Sequence, residues 1–214
     1  MSRGPAGTSR VLEVSPERRA AWLAGFAQRH GPTRADGALI TAADGSSALV
    51  EPFDHDPVGV ILVRRGGYAV GLAHAGRFTT SKVGSRHVQS RTAAGGWSQQ
   101  RFARRRANQA DALVEAVAAH ALRVLLGGDA DGAVQGIPAG LVLGGDRTLV
   151  AAVLAERPLR VLVGLPRREF PGLPDPGREV LAVALCRGRA TRITLSEPSG
   201  RPVATDEAVQ DGPG

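Results

Sequence analysis

The chain has 214 residues, a net charge of +7, 43% hydrophobic residues and only 4% aromatic ones. This length can bury a core of Ala, Val and Leu without a metal or disulfide staple, and the single cysteine, Cys186, excludes a disulfide framework and every multi-cysteine zinc module. No run approaches the ~20 apolar residues of a membrane span, and the N-terminal residues lack a signal-peptide core, so a soluble, cytoplasmic protein with no membrane partner is expected.

In chain order, residues 1–9 read as a disordered terminus. Val11–Val14 reads as a short strand, and Ser15-Pro16-Glu17 as a helix start with Ser15 as N-cap. Trp22, Leu23, Phe26 and Ala27 give that helix an apolar stripe, ended by Gly31-Pro32. Leu39–Thr41 and Ala48–Phe53 read as strands around Asp44-Gly45. Three β-rich runs follow: Val58–Arg64, Tyr68–Ala75 and Phe78–Gln89. After the irregular segment 91–96, a long helix is expected over 98–126, closed by Gly127-Gly128. The last third reads as strand Gly140–Leu143, helix Arg147–Ala155, strand Arg160–Gly164, a proline-rich loop over 166–176, helix Arg178–Arg187 and strand Arg192–Leu195. From Ser196 the chain reads as a disordered tail. The pattern predicts an α+β fold, a mixed β-sheet flanked by helices, with a Gly-rich loop leading into a long helix.

The charge is concentrated. Between Asp56 and Asp111 lie 54 residues with no Asp or Glu and ten cations, so this segment is +10 and the other 160 residues are −3. A near-neutral body with one cationic segment has the pattern of a polyanion site; the alternative is a solvated basic face. Arg outnumbers Lys 26 to 1, which suits phosphate contact but also follows from a GC-rich genome. Codon bias adds Arg; it does not remove acids from 54 consecutive positions.

Within that segment, Arg91-Thr-Ala-Ala-Gly-Gly-Trp-Ser-Gln-Gln-Arg-Phe-Ala-Arg-Arg-Arg106 is a glycine loop entering a helix N-terminus. Free backbone N–H groups and the helix dipole attract phosphate or developing negative charge there. Gly95 and Gly96 permit close backbone approach, Ser98 is placed as N-cap, and Arg101, Arg104 and Arg105 fall on neighbouring positions able to grip phosphates.

The run from Gly95 to Arg106 resembles the catalytic loop and helix of the eukaryotic and archaeal class-one translation release factors, in which Gly-Gly-Gln precedes Arg-Phe-Ala-Arg. Ala139-Gly-Leu-Val-Leu-Gly-Gly145 is similar to a later strand of that domain, and the order of elements agrees over about 55–195. Here Trp97 follows Gly-Gly and the glutamine arrives at Gln99. That Gly-x-x-Gln spacing resembles the Vms-like release-factor family, in its compact actinobacterial form.

The resemblance implies a codon-independent peptidyl-tRNA hydrolase that frees nascent chains from stalled large ribosomal subunits. It places Gln99, Gly95, Gly96 and Ser98 in the catalytic loop, with Gln100 the rival to Gln99. RNA contacts then fall to Trp97, Arg91, Arg101, Arg104, Arg105, Arg106, Lys82 and Arg86. Large-subunit rRNA and peptidyl-tRNA are the implied partners of a monomer needing no cofactor, metal or nucleotide. The domains so implied are a disordered 1–9, an N-terminal helix and strands over 10–54 packed on the main domain, a release-factor-like catalytic domain over 55–195 and a disordered tail over 196–214. The alternative is a non-catalytic ribosome- or RNA-binding module of the same fold.

Other polar groups read as structural. Asp54-His55-Asp56 are turn residues rather than metal ligands, His74 and His87 are strand positions, and His30 and His120 lie near helix ends facing solvent. The segment Gly127–Gly132 lacks the distal Glu of a calcium loop, and Cys186 reads as a packing residue on an apolar helix.

Overall fold

The computed structural model describes residues 8–85, 98–128 and 136–198. In chain order the elements are strand β1 (Thr8–Val14), a 3-10 turn (Pro16–Arg18), helix α1 (Arg19–His30), and strands β2 (Thr33–Asp36), β3 (Leu39–Ala42) and β4 (Ser47–Glu51). Then come β5 (Val58–Arg64), β6 (Gly67–His74), β7 (Arg77–Ser85), α2 (Ser98–Leu126), β8 (Gly140–Gly145) and α3 (Arg147–Ala155). A second 3-10 turn (Arg157–Leu162), β9 (Arg167–Phe170), α4 (Arg178–Arg189) and β10 (Thr191–Glu197) complete the chain. These elements divide into two units, 53–190 and a smaller one made of the residues on either side.

The smaller unit is a five-stranded antiparallel sheet in the order β1-β10-β4-β3-β2. Helix α1 lays Trp22 and Phe26, stacked at 5.6 Å, against Ala42, Ala48, Ile193 and Leu195. The final strand was expected to close the larger domain. It instead pairs with β1 and β4, because strand pairing is set by tertiary packing that a local pattern does not encode. Thr8 and Ser9, expected in a disordered terminus, belong to β1, and Ser196 and Glu197, expected in a disordered tail, belong to β10; residues 1–7 and 199–214 lie outside the described residues. Ser15 makes no side-chain cap bond; Pro16 opens a 3-10 turn instead.

His30, expected to face solvent, is buried: its Nδ1 lies 3.0 Å from Asp44 Oδ2, and its Nε2 lies 3.7 Å from Glu197. The Asp44 carboxylate also accepts the Ser46 amide at 2.9 Å. That amide holds the Asp44 pKa down from 3.8 to about 2, against the pull of desolvation and with help from His30. The folded pKa lies below the unfolded one, so this stabilisation is complete above about 3.8 and is lost as pH falls from there toward 2. In an acid titration followed by circular dichroism, Asp44→Asn is expected to flatten the stability profile across that window.

The larger unit is built on a mixed sheet in the order β7-β6-β5-β8-β9, with β5, β8 and β9 parallel and β6 and β7 antiparallel. Strand β5 is buried on both faces, which explains its continuous apolar run. Ile61 and Val63 face α2, α3 and the second 3-10 turn; Val58, Val60 and Leu62 face α4. The result is three layers, helix–sheet–helix. Gly145 leaves β8 at φ +93°, and a Cβ there would meet the Val63 carbonyl oxygen, so only glycine fits. The next residue, Asp146, caps α3 by accepting the Thr148 and Leu149 amides at 2.9 and 3.2 Å.

Three expectations in this unit are corrected. Arg160–Gly164 is not a strand: residues 157–162 form a 3-10 turn, burying Leu159 and Leu162 at its three-residue period. The parallel strand β9 lies inside the stretch expected to be a loop, 166–176. Cys186, expected to pack, is exposed.

Candidate functional site

The register collects the ends of several elements on one edge of the larger sheet. Arg64 pairs with Gly67, Gly67 with Ser85, and Val63 with Gly145. The carboxyl ends of β5, β7 and β8 therefore share that edge. The segment 86–97 leaves from Ser85 and returns at Ser98. The other end of α2 is tied to the opposite edge. Gly127 stops the helix at φ +59°, the Gly128 amide donates to Leu122, and the chain re-enters at Ala139, whose amide donates to Pro57 just before β5.

Helix α2 has 29 residues, about 43 Å of rise. Strand β5 has seven, about 23 Å. The helix is too long for the sheet it packs on. Among its described side chains the buried ones run from Leu113 to Leu126, about 20 Å, and about 22 Å of helix precedes them, from Ser98 to Ala112. In sequence, Gly95 and Gly96 shortly precede Ser98, the first residue of that helix.

The helical register sorts the cationic positions. Arg101, Arg104 and Arg105 lie in one row at i, i+3 and i+4 spacing, and the row continues through Asn108, Asp111, Ala112 and Glu115, all exposed. Arg106 belongs to a different row, which runs through Ala110 to the buried Leu113 and Val117. Ser98 is the first helical residue, one place inside the expected N-cap position. Gln99 and Gln100 lie in the first turn, about 100° apart around the axis. For residues 98–107 the backbone is described; their side chains lie outside the described residues, as do Arg86, Arg91, Gly95, Gly96, Trp97, His87 and the segment 129–135. Lys82 is exposed on β7.

A cluster missed by sequence reasoning ties the strand entering the loop to the helix leaving it. The Tyr68 ring of β6 stacks on the His120 imidazole of α2 at 5.2 Å. Arg123 donates to His120 Nδ1 at 2.7 Å. Burial lowers the His120 pKa, and the Arg123 and Lys82 charges lower it further, so the ring is neutral and accepts. His120 is thus packed, not a solvent-facing helix-end residue. On β7, Gly84 lies beneath the same tyrosine, where a Cβ would come within 2.5 Å of its ring. Gly84→Val is expected to cost about 1–3 kcal/mol, read as a lowered melting temperature. The partners lie far apart in sequence, so no local signal announces this cluster.

The other sequence candidates have structural roles. Asp56 accepts the Ala75 amide through both carboxylate oxygens and lies 2.7 Å from His74 Nδ1, closing the β6–β7 turn. The His55 ring packs edge-on against Phe53 at 4.6 Å. Among the described residues, no group of three His, Cys, Asp or Glu could hold a metal ion, and no helix is long and apolar enough to cross a membrane.

A family model for the Actinobacteria/chloroflexi VLRF1 release factor matches residues 56–194, from the entrance of β5 into β10. The chain belongs to this family. No curated protein matches it. Membership in the VLRF1 release factors places the molecule in translation and associates it with the ribosome. The matched span includes the glycine-loop sequence and all of α2.

Proposed function

We propose that this VLRF1 family member is a codon-independent peptidyl-tRNA hydrolase that frees nascent chains from stalled large ribosomal subunits in the cytoplasm. The observation that carries the reading is the match to the VLRF1 release-factor family over residues 56–194, a span in which the Gly-Gly-x-x-Gln sequence runs into the first turn of the 29-residue α2. A glycine-rich sequence leading into a long helix suits a narrow site in which substrate cannot come to the protein. Rescue on stalled subunits needs no codon reading, and residues 57–110 supply cations without a single acid to repel rRNA.

The chemistry is ester hydrolysis. A water oxygen bonds to the peptidyl carbonyl carbon, the bond to the tRNA ribose oxygen breaks, and a proton passes from the water to that oxygen. The Gln99 amide positions the water, and the unpaired amides of the first turn of α2 favour the developing oxyanion. Gly95 and Gly96 let the backbone approach, while Arg91, Arg101, Arg104, Arg105, Arg106, Lys82 and Arg86 hold phosphates and Trp97 stacks on a base.

Trp97 stands directly after Gly-Gly, where the related factors have glutamine; this favours the second reading, a binding module without hydrolysis. Single-turnover release of a labelled nascent chain from large-subunit–peptidyl-tRNA complexes tests both. Release by the wild-type chain supports the hydrolase. Binding without release supports the module.

A further inference from the structure

A second feature of the same unit is built on α3, β8 and β9. Helix α3 presents Arg147, Ala151 and Leu154 along one face, at i, i+4 and i+7. This face lines a cleft of about 260 Å³ whose other wall carries Arg167 and Glu169. The cleft continues past Ala151, Leu154 and Arg167 into a shallower hollow bounded by Arg160. Three guanidiniums thus border an aliphatic floor, against one carboxylate. The Arg167 wall is held in place, since its guanidinium donates to the Val163 carbonyl at 2.6 Å.

Nucleic acid is the first ligand to weigh against three arginines, but single-stranded RNA is gripped by pairing cations with aromatic platforms. The floor has none to offer. Phe170 is the one aromatic residue lining the cleft; it is buried, and the Arg187 guanidinium lies over its ring at 4.7 Å. An aliphatic groove with a cationic rim complements an amphipathic helix with small or branched apolar residues on one side and Asp or Glu on its flanks. Glu169 on the wall rejects a carboxylate at its own position and so sets the register of such a helix.

We propose that this cleft is a docking site for an acidic amphipathic helix of a partner protein. It is lined by no residue of α2, so it offers a means of recruitment by residues other than those of the catalytic loop. The proposal stands whether or not the chain hydrolyses peptidyl-tRNA.

The test uses the full chain and three labelled probes, followed by fluorescence anisotropy. One is a synthetic helix with Leu at i, i+3, i+4 and i+7 and Glu elsewhere; the second replaces its Glu by Lys; the third is an oligouridylate. The Glu peptide is expected to bind, and the Lys peptide is not. Arg147→Glu and Arg167→Glu should each weaken Glu-peptide binding about tenfold, a factor of the size one charged contact supplies. Ala151→Trp, which fills the hollow from an exposed position, should abolish it. Melting curves identify any variant that fails to fold, and Arg147→Glu, at an exposed position, keeps the test open if the others fail. Absence of Glu-peptide binding to the wild-type chain overturns the proposal, as does binding unmoved by all three substitutions. So does an oligouridylate that loses affinity on Ala151→Trp while the peptide does not, which would make the cleft an RNA site.

Discussion

Replacing Gln99 by alanine is expected to slow release of the nascent chain by about 10²–10³-fold, the loss associated with one positioned polar group at a developing charge, while leaving affinity for the large subunit unchanged. The reasoning is geometric. The acid-free stretch from 57 to 110 supplies no carboxylate to act as base near the loop. Rate enhancement then has to come from placing water and stabilising the oxyanion. A neutral amide suits this task, because it donates and accepts without adding charge beside the phosphates of the site. Gln100 sits about 100° further round the helix, too far to occupy the same place without turning the helix, so Gln100→Ala should leave release within a few fold of wild type. Single-turnover release and subunit sedimentation, measured on both variants, separate chemistry from binding. Loss confined to Gln100→Ala would move the catalytic role by one residue and keep the activity.

Where the local pattern was strong, the sequence was enough. The helix over 98–126 is legible because apolar residues keep 3–4 spacing from Ala110 onward and Gly127 ends it. Strand β5 is legible because burial on both faces leaves no polar residue in its interior. The failures have physical causes. Leu159 and Leu162 repeat every three residues, and in so short an apolar run that period is easily taken for a strand. Strand β9 is masked by flanking prolines and by Arg168, a charge turned inward. That charge is buried because it donates to the Ala190 carbonyl and lies 5.1 Å over the Phe53 ring. His30 looked like a helix-end residue because Asp44 and Glu197, which enclose it, are distant in sequence. The site divides in the same way. Its loop and cations were visible as a motif and a charge pattern; the Tyr68–His120 stack and the arginine-bordered cleft exist only once the chain has folded.

The arginine row predicts a second large effect, on salt dependence. Each phosphate contact contributes about 0.7–0.9 to the slope of log affinity against log salt. Substituting Arg101, Arg104 and Arg105 together by alanine should therefore remove about 2–3 units of slope, and the fall in subunit affinity between ~50 and ~200 mM salt should shrink by about 20–40-fold relative to wild type. Arg106→Ala should do less, since its row leads toward the packed face of the helix rather than along the exposed one. The exposed row also has an end. At Asp111 and Glu115 its charge reverses, and like charge would repel a phosphate track continued that far. The footprint on α2 is thus limited to its amino-terminal half. Asp111→Arg should then leave the slope nearly unchanged if RNA stops at Asn108, and should raise it by about one unit if the track runs on along the helix. An unaltered slope in the triple variant, with loss in Arg106→Ala, would place the RNA on the opposite face of α2.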